Sequence, residues 1–251
     1  IRRPPRSTRK ESSAASDVYK RQDSKIIIGT DRTGTTIEVD AEQWTKGALT
    51  QALKKILDQQ IGLISLWIDN PTPATDSDLQ QLKFTFERDL FRMDCKLPLK
   101  ETTQIKTRSF RPGQDEEEWC SINNKAFSWH REQSGWTVEM VRERQAESWF
   151  DAEGFRIYET DGQLAAYCWT KVHKNKGNHA GEVYVIAVDP KYHGQGLGRA
   201  LTLAGYQHLH STGITKGMLY VDAENIAAVT LYKDIGLTVG LVRRLYTIQI
   251  S

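Results

Sequence analysis

Two hydrophobic rhythms alternate along the chain. Where apolar residues cluster or alternate, they predict strands; where they repeat at every third and fourth position, they predict helices. Residues 25–28 and 35–39 read as short strands around a turn at 31–34, and Leu49, Ala52, Leu53, Ile56 and Leu57 share one helix face. Residues 61–68 read as a strand, Pro71 and Pro73 as a loop, Asp76 as the cap of a helix through Leu82 and Phe84, and 91–97 as a closing strand. A second series begins with a strand at 106–110 and a helix at 115–127 that turns Trp119, Ile122 and Phe127 inward. Thr137 caps a helix over 138–149. Strands follow at 154–160, 164–173 and 182–188, the first two joined by Asp161-Gly162, a hairpin signal. A helix over 197–211 is apolar on Leu197, Leu201, Ala204 and Leu209, with Gly213 as its C-cap. A strand at 218–221, a helix at 225–234 and last strands over 237–250, with a turn or bulge near Gly240, complete the pattern. Residues 63–71 and the helix after them parallel 219–226 and theirs, which reads as an internal duplication.

This order is α/β. It predicts a partial first domain at 23–99, a linker at 100–104 and a second domain at 105–251. Residues 1–22 have no periodicity, are rich in Ser, Arg and Pro, and are expected to be disordered. They resemble translated sequencing-adapter read-through, so the expectation is that they replace a true N-terminus and leave the first domain N-terminally truncated.

Composition narrows the function. The net charge of +2 over 251 residues divides into +5 for residues 1–22 and −3 for the rest. A mildly acidic body offers no nucleic-acid surface. No apolar run approaches the roughly 20 residues of a membrane span, and no signal peptide is visible. Cys95, Cys120 and Cys168 have neither CxxC nor metal-like spacing; they read as buried thiols of a reduced, cytoplasmic protein. His208 and His210 point to different helix faces, and His173 with His179 gains no carboxylate cluster, so no metal is expected.

Residues 182–199 carry the most chemistry. A β-branched strand ends at Asp189-Pro190, a loop places Gly194, Gly196 and Gly198, and a helix opens at once. Strand, glycine loop and helix point backbone N–H groups at an anion, with the helix dipole behind them. The corresponding part of the first half has no glycine-rich loop.

The element order over 105–251 resembles the GNAT N-acetyltransferase superfamily, and 188–198 resembles its acetyl-CoA motif, with His193 where Gln or Arg is usual. Residues 123–127, 130–137, 149–151, 169–173, 181–185 and 225–229 resemble the mycothiol synthases, a family of tandem GNAT enzymes, across nearly all of 23–251. The resemblance implies two tandem GNAT folds, each a mixed central sheet flanked by helices, with a degenerate first domain and a catalytic second. It implies acetyl-CoA as co-substrate, desacetylmycothiol as a small-molecule acceptor, and a monomer. Glu182 then stands as the base and Tyr232 as the acid for the departing thiolate. Ile186, Ala187 and Val188 would meet the pantetheine arm along a splayed strand, and His193, Gly194, Gln195, Gly196, Leu197, Gly198 and Arg199 the pyrophosphate. Asn225, Ile226, Ala227, Ala228, Val229 and Thr230 would line the same groove. Glu132, Lys171, Glu182 and Tyr220 would contact the acceptor.

Each residue also has a plainer reading. Glu182 and Arg199 serve as solvated charges, Asn225 as an N-cap, and Tyr232 as helix-face packing. An N-acetyltransferase for another amine or a protein N-terminus, and a non-catalytic acyl-CoA-binding module, are the alternatives.

Overall fold

The computed structural model describes residues 17–21, 24–31, 34–40, 48–128, 134–175 and 178–251. In chain order the first elements are β1 (Asp17–Arg21), β2 (Ser24–Asp31), β3 (Gly34–Asp40), α1 (Ala48–Leu57), β4 (Gly62–Asp69), α2 (Pro73–Gln81) and β5 (Thr85–Lys96). Then come β6 (Arg108–Ser109), α3 (Glu116–Ala126), α4 (Val138–Gln145), β7 (Phe155–Thr160), β8 (Gln163–Asn175), β9 (Asn178–Val188), α5 (Leu197–Ser211), β10 (Lys216–Asp222), α6 (Ile226–Asp234) and β11 (Thr238–Ile250). Two compact units form: residues up to 91 with 222–224 and 241–251, and residues 92–221 with 225–240.

In the first unit β1, β2 and β3 pair antiparallel in sequence. β3 runs parallel to β4 through six residue pairs, ending at Asp40↔Asp69, and β11 runs antiparallel to β4. Leu49, Leu53 and Ile56 of α1 close over Ile37, Ile64, Leu66 and Ile68, so the periodicity that predicts the helix also supplies its buried face. Asp76 does not cap α2. Thr72 does: its Oγ1 accepts from Thr75 N and Thr75 Oγ1 accepts from Thr72 N, with Pro73 in the first turn. Asp76 instead accepts from the Arg244 guanidinium at 2.9 Å and from the Tyr246 hydroxyl. Of the segment expected to be disordered, residues 17–21 form β1, and 1–16 and 22 lie outside the described residues.

In the second unit β6, β7, β8 and β9 pair antiparallel and β9 pairs parallel with β10. One sheet face carries α3 and α4 over a cluster that includes Trp119, Trp136, Phe155, Tyr167 and Trp169. α5 packs on the other face, closely enough that a Cβ at Gly181 would stand 2.7 Å from the Leu209 side chain and one at Gly205 2.5 Å from Cys168 Sγ. The end of the chain is a single 13-residue strand, without the turn expected near Gly240. That glycine makes room instead: a Cβ there would collide with the Asp94 carboxylate. α4 ends at Gln145, short of the expected Trp149, and Trp149 turns inward to lie 5.7 Å from the Trp169 ring.

Candidate active site

The ladder between β9 and β10 holds three pairs, Gly217↔Gly181, Met218↔Glu182 and Leu219↔Val183. Beyond them β9 continues to Val188 and β10 to Asp222 with no further pairs between the two. On its other edge β9 stays paired with β8 to Ala166↔Val188, with a bulge where the partner of Trp169 is Val185 and that of Thr170 is Val183. The opened edge of β9 therefore has backbone groups that no strand satisfies.

A groove of about 460 Å³ occupies this opening. Ile186, Ala187 and Val188 form one wall, and His193, Gly194, Gly196, Leu197, Gly198 and Arg199 its end; Asn225, Ala227, Ala228 and Tyr232 line the opposite wall. Tyr192, Thr202 and Leu231 also line it, without having been marked by the sequence. Gln195, Ile226, Val229 and Thr230 do not: Val229 packs inward and Ile226 is largely exposed. Gly194 and Gly196 have φ of 78° and 75°, conformations that strain any residue with a Cβ. Asp189 Oδ1 accepts from Lys191 N, and His193 Nε2 bonds Val188 O at 3.0 Å, fixing the loop to the strand end. Asn225 caps α6, its Oδ1 accepting from Ala228 N at 3.1 Å. The Arg199 guanidinium meets the Glu101 carboxylate through two bonds of 2.8 and 2.6 Å. This pairing holds the Glu101 carboxyl below its usual range. Burial raises the Tyr232 phenol above its ordinary range, so it keeps its proton.

The acceptor candidates gather on one sheet face. Glu182 pairs with Lys171 across the β8–β9 ladder and with Met218 on β10; alternation puts Tyr220 on that side as well. Lys171 Nζ lies 4.6 Å from the Trp149 ring centroid and 5.2 Å from that of Tyr184. Glu182 is buried, and its Oε2 stands 2.6 Å from His173 Nε2. Glu132 lies outside the described residues. His173 is the neighbour of Glu182 that spacing missed. The register of the β8–β9 hairpin would have revealed it, since Lys171 opposite Glu182 puts His173 diagonally next to it. His208, also weighed for metal, bonds Asp151 at 3.0 Å. Among the described residues no group of three or more His, Cys, Asp or Glu side chains could hold a metal ion, and no helix is long and apolar enough to cross a membrane.

A parting strand pair, a glycine loop opening a helix and a buried carboxylate define an acetyltransferase of the GNAT type, and residues 117–237 match the Acetyltransferase (GNAT) family model. The chain is 36% identical over 239 residues to the mycothiol acetyltransferase of Acidothermus cellulolyticus, covering 88% of this chain and 70% of that one. It is 42% identical over 201 residues to that of Thermobispora bispora, covering 77% and 68%. The chain belongs to the mycothiol acetyltransferase family of GNAT N-acetyltransferases. The fold is similar to that of a GCN5-related N-acetyltransferase from Sphaerobacter thermophilus (TM-score 0.72, 20% identity, 90% of this chain and 76% of that one). It is also similar to a tandem GNAT protein from the clavulanic acid biosynthesis pathway (TM-score 0.61, 12% identity, 90% and 78%).

Proposed function

We propose that this protein transfers an acetyl group from acetyl-CoA to the cysteinyl amine of desacetylmycothiol (Cys-GlcN-inositol), releasing mycothiol and CoA. The observation that carries this reading is the 36% identity over 239 residues to a mycothiol acetyltransferase.

The groove suits acetyl-CoA. A Cβ at Gly194, Gly196 or Gly198 would meet no protein atom within 4 Å, so all three glycines leave open space beside the first turn of α5, where unpaired N–H groups favour a pyrophosphate. In this reading residues 193–199 hold the pyrophosphate, and Ile186, Ala187, Val188 and Asn225 hold the pantetheine arm. Bound acetyl-CoA supplies the acetyl group as a thioester. N–H groups on the open edge of β9 donate to its carbonyl oxygen. Glu182 takes a proton from the acceptor amine, whose ordinary pKa is roughly 8, and Tyr232 gives its proton to the leaving thiolate. Lys171, Tyr220 and Glu132 contact the hydroxyl-rich acceptor.

The test is purified protein with acetyl-CoA and desacetylmycothiol, read by mass spectrometry for one added acetyl group and by thiol titration for released CoA. Both signals are expected, and Glu182→Ala is expected to lose most of kcat while keeping acetyl-CoA affinity. CoA release only with other amines would move the protein to another acceptor, and binding without turnover on any amine would make it a carrier module.

A further inference from the structure

We propose that His173 is a positioning residue for Glu182 and the route by which the acceptor's proton leaves the site. The assignment rests on the acetyl-transfer reading above. Glu182 has a side chain only 8% exposed, whereas that of His173 is 28% exposed, and 2.6 Å separates Oε2 from Nε2. Among the described residues no other side chain hydrogen-bonds Glu182. Lys171, directly across the ladder, turns its ammonium to the faces of Trp149 and Tyr184. An ionised carboxylate only accepts hydrogen bonds, so His173 donates from Nε2 and any proton the neutral ring takes up goes to Nδ1. The bond fixes one carboxylate oxygen and leaves Oε1 for the acceptor.

The proton balance gives the pair its purpose. At neutral pH an α-amine with a pKa of roughly 8 is mostly ammonium, so each turnover deposits a proton. Glu182 is buried and, by itself, could only hand that proton back. Paired with His173 it becomes part of one acceptor. The ammonium loses a proton, carboxylate and neutral imidazole become carboxylate and imidazolium, and the imidazolium releases a proton to water to restore the starting pair. The other groups facing the pair are Lys171 from β8, Tyr184 from β9 with Arg144 of α4 beside it, and Tyr220 from β10, while the Tyr206 phenol of α5 feels the Glu182 charge from the opposite face of the sheet.

The decisive comparison is wild type, His173→Ala, His173→Gln and Glu182→Ala. His173→Ala is expected to lose about 10²-fold in kcat, within the range for a positioned proton-transfer group, with KM for acetyl-CoA unchanged. Imidazole added to the buffer is expected to restore part of that rate, and to restore none in Glu182→Ala. His173→Gln keeps a donor to Glu182 but cannot take up a proton, and is expected to fall in between. Wild-type kcat in His173→Ala, or a deficit that imidazole leaves untouched, overturns the proposal. Proton NMR of the free enzyme separates this from the acceptor assignment. A protected downfield ring N–H is expected in wild type, absent in His173→Gln and displaced in Glu182→Gln. No such resonance in wild type refutes the pair. The resonance with no turnover on desacetylmycothiol refutes the acceptor and leaves the pair intact.

Discussion

Tyr232 and the three cysteines illustrate how burial sorts reactive groups by whether they must ionise. The Tyr232 phenol is raised by desolvation and stays protonated, which suits a group that gives its proton away. The thiols are pushed the same way, Cys95 and Cys168 to about 12 and Cys120 to about 11, which leaves them with almost no thiolate, the reactive form. Alkylation by iodoacetamide at pH 8 is therefore expected to be far slower than for a free thiol of pKa about 8.5, and to accelerate only towards pH 11. Mass spectrometry of the intact protein would check this, and rapid labelling of any one cysteine in the folded state would contradict it.

At the scale of elements, α5 depends on glycines for two unrelated reasons. Gly196 begins the helix in a left-handed conformation, and Gly205 brings its middle against β8. Gly205→Val would press methyl groups onto Cys168 and Thr170; overpacking of this kind costs about 1–3 kcal/mol. A lower urea midpoint with an unchanged slope is expected, and an unshifted midpoint would show that the helix has room to move. The sequence made α5 and β9 plain, because strand, glycine loop and apolar helix face are local patterns. It also identified Thr137, whose Oγ1 accepts from Met140 N. It missed what depends on partners. Asp76 looks like a cap until Arg244 and Tyr246, distant in sequence, claim it. Gly240 looks like a turn until Asp94 needs its space. His173 and Glu182 are nine residues apart, and only the hairpin register brings them together.

Over the whole molecule the two units repeat one order, strand, helix, parallel strand, helix, in β3-α1-β4-α2 and β9-α5-β10-α6. They differ in how far the parallel strands stay paired. β3 and β4 pair to their last residues, whereas β9 and β10 part after three pairs, so of these two parallel pairs the second has the open strand edge that the proposed cofactor site uses. Titration calorimetry is expected to give one acetyl-CoA site per chain. Two sites of comparable affinity would mean that the closed pair opens.

The bulge at Tyr184 sets the reading frame of this sheet. Gly181 and Val183 face α5, yet Val185 and Ala187 belong to the cluster under α3 and α4. One extra residue, Tyr184, lets odd-numbered positions change face between Val183 and Val185. Removing that residue would shorten β9 by about 3.3 Å and close the bulge, yet Val185 would then follow Val183 directly, and alternation would leave Val183 towards α5 and Val185 and Ala187 under α3 and α4, where they already lie. The bulge is thus the means by which β9 fits one more aromatic side chain under its helices, with the Tyr184 ring 5.2 Å from that of Trp149 and 5.2 Å from the Lys171 ammonium, and a single-codon deletion there would remove those contacts without reversing either end of the strand.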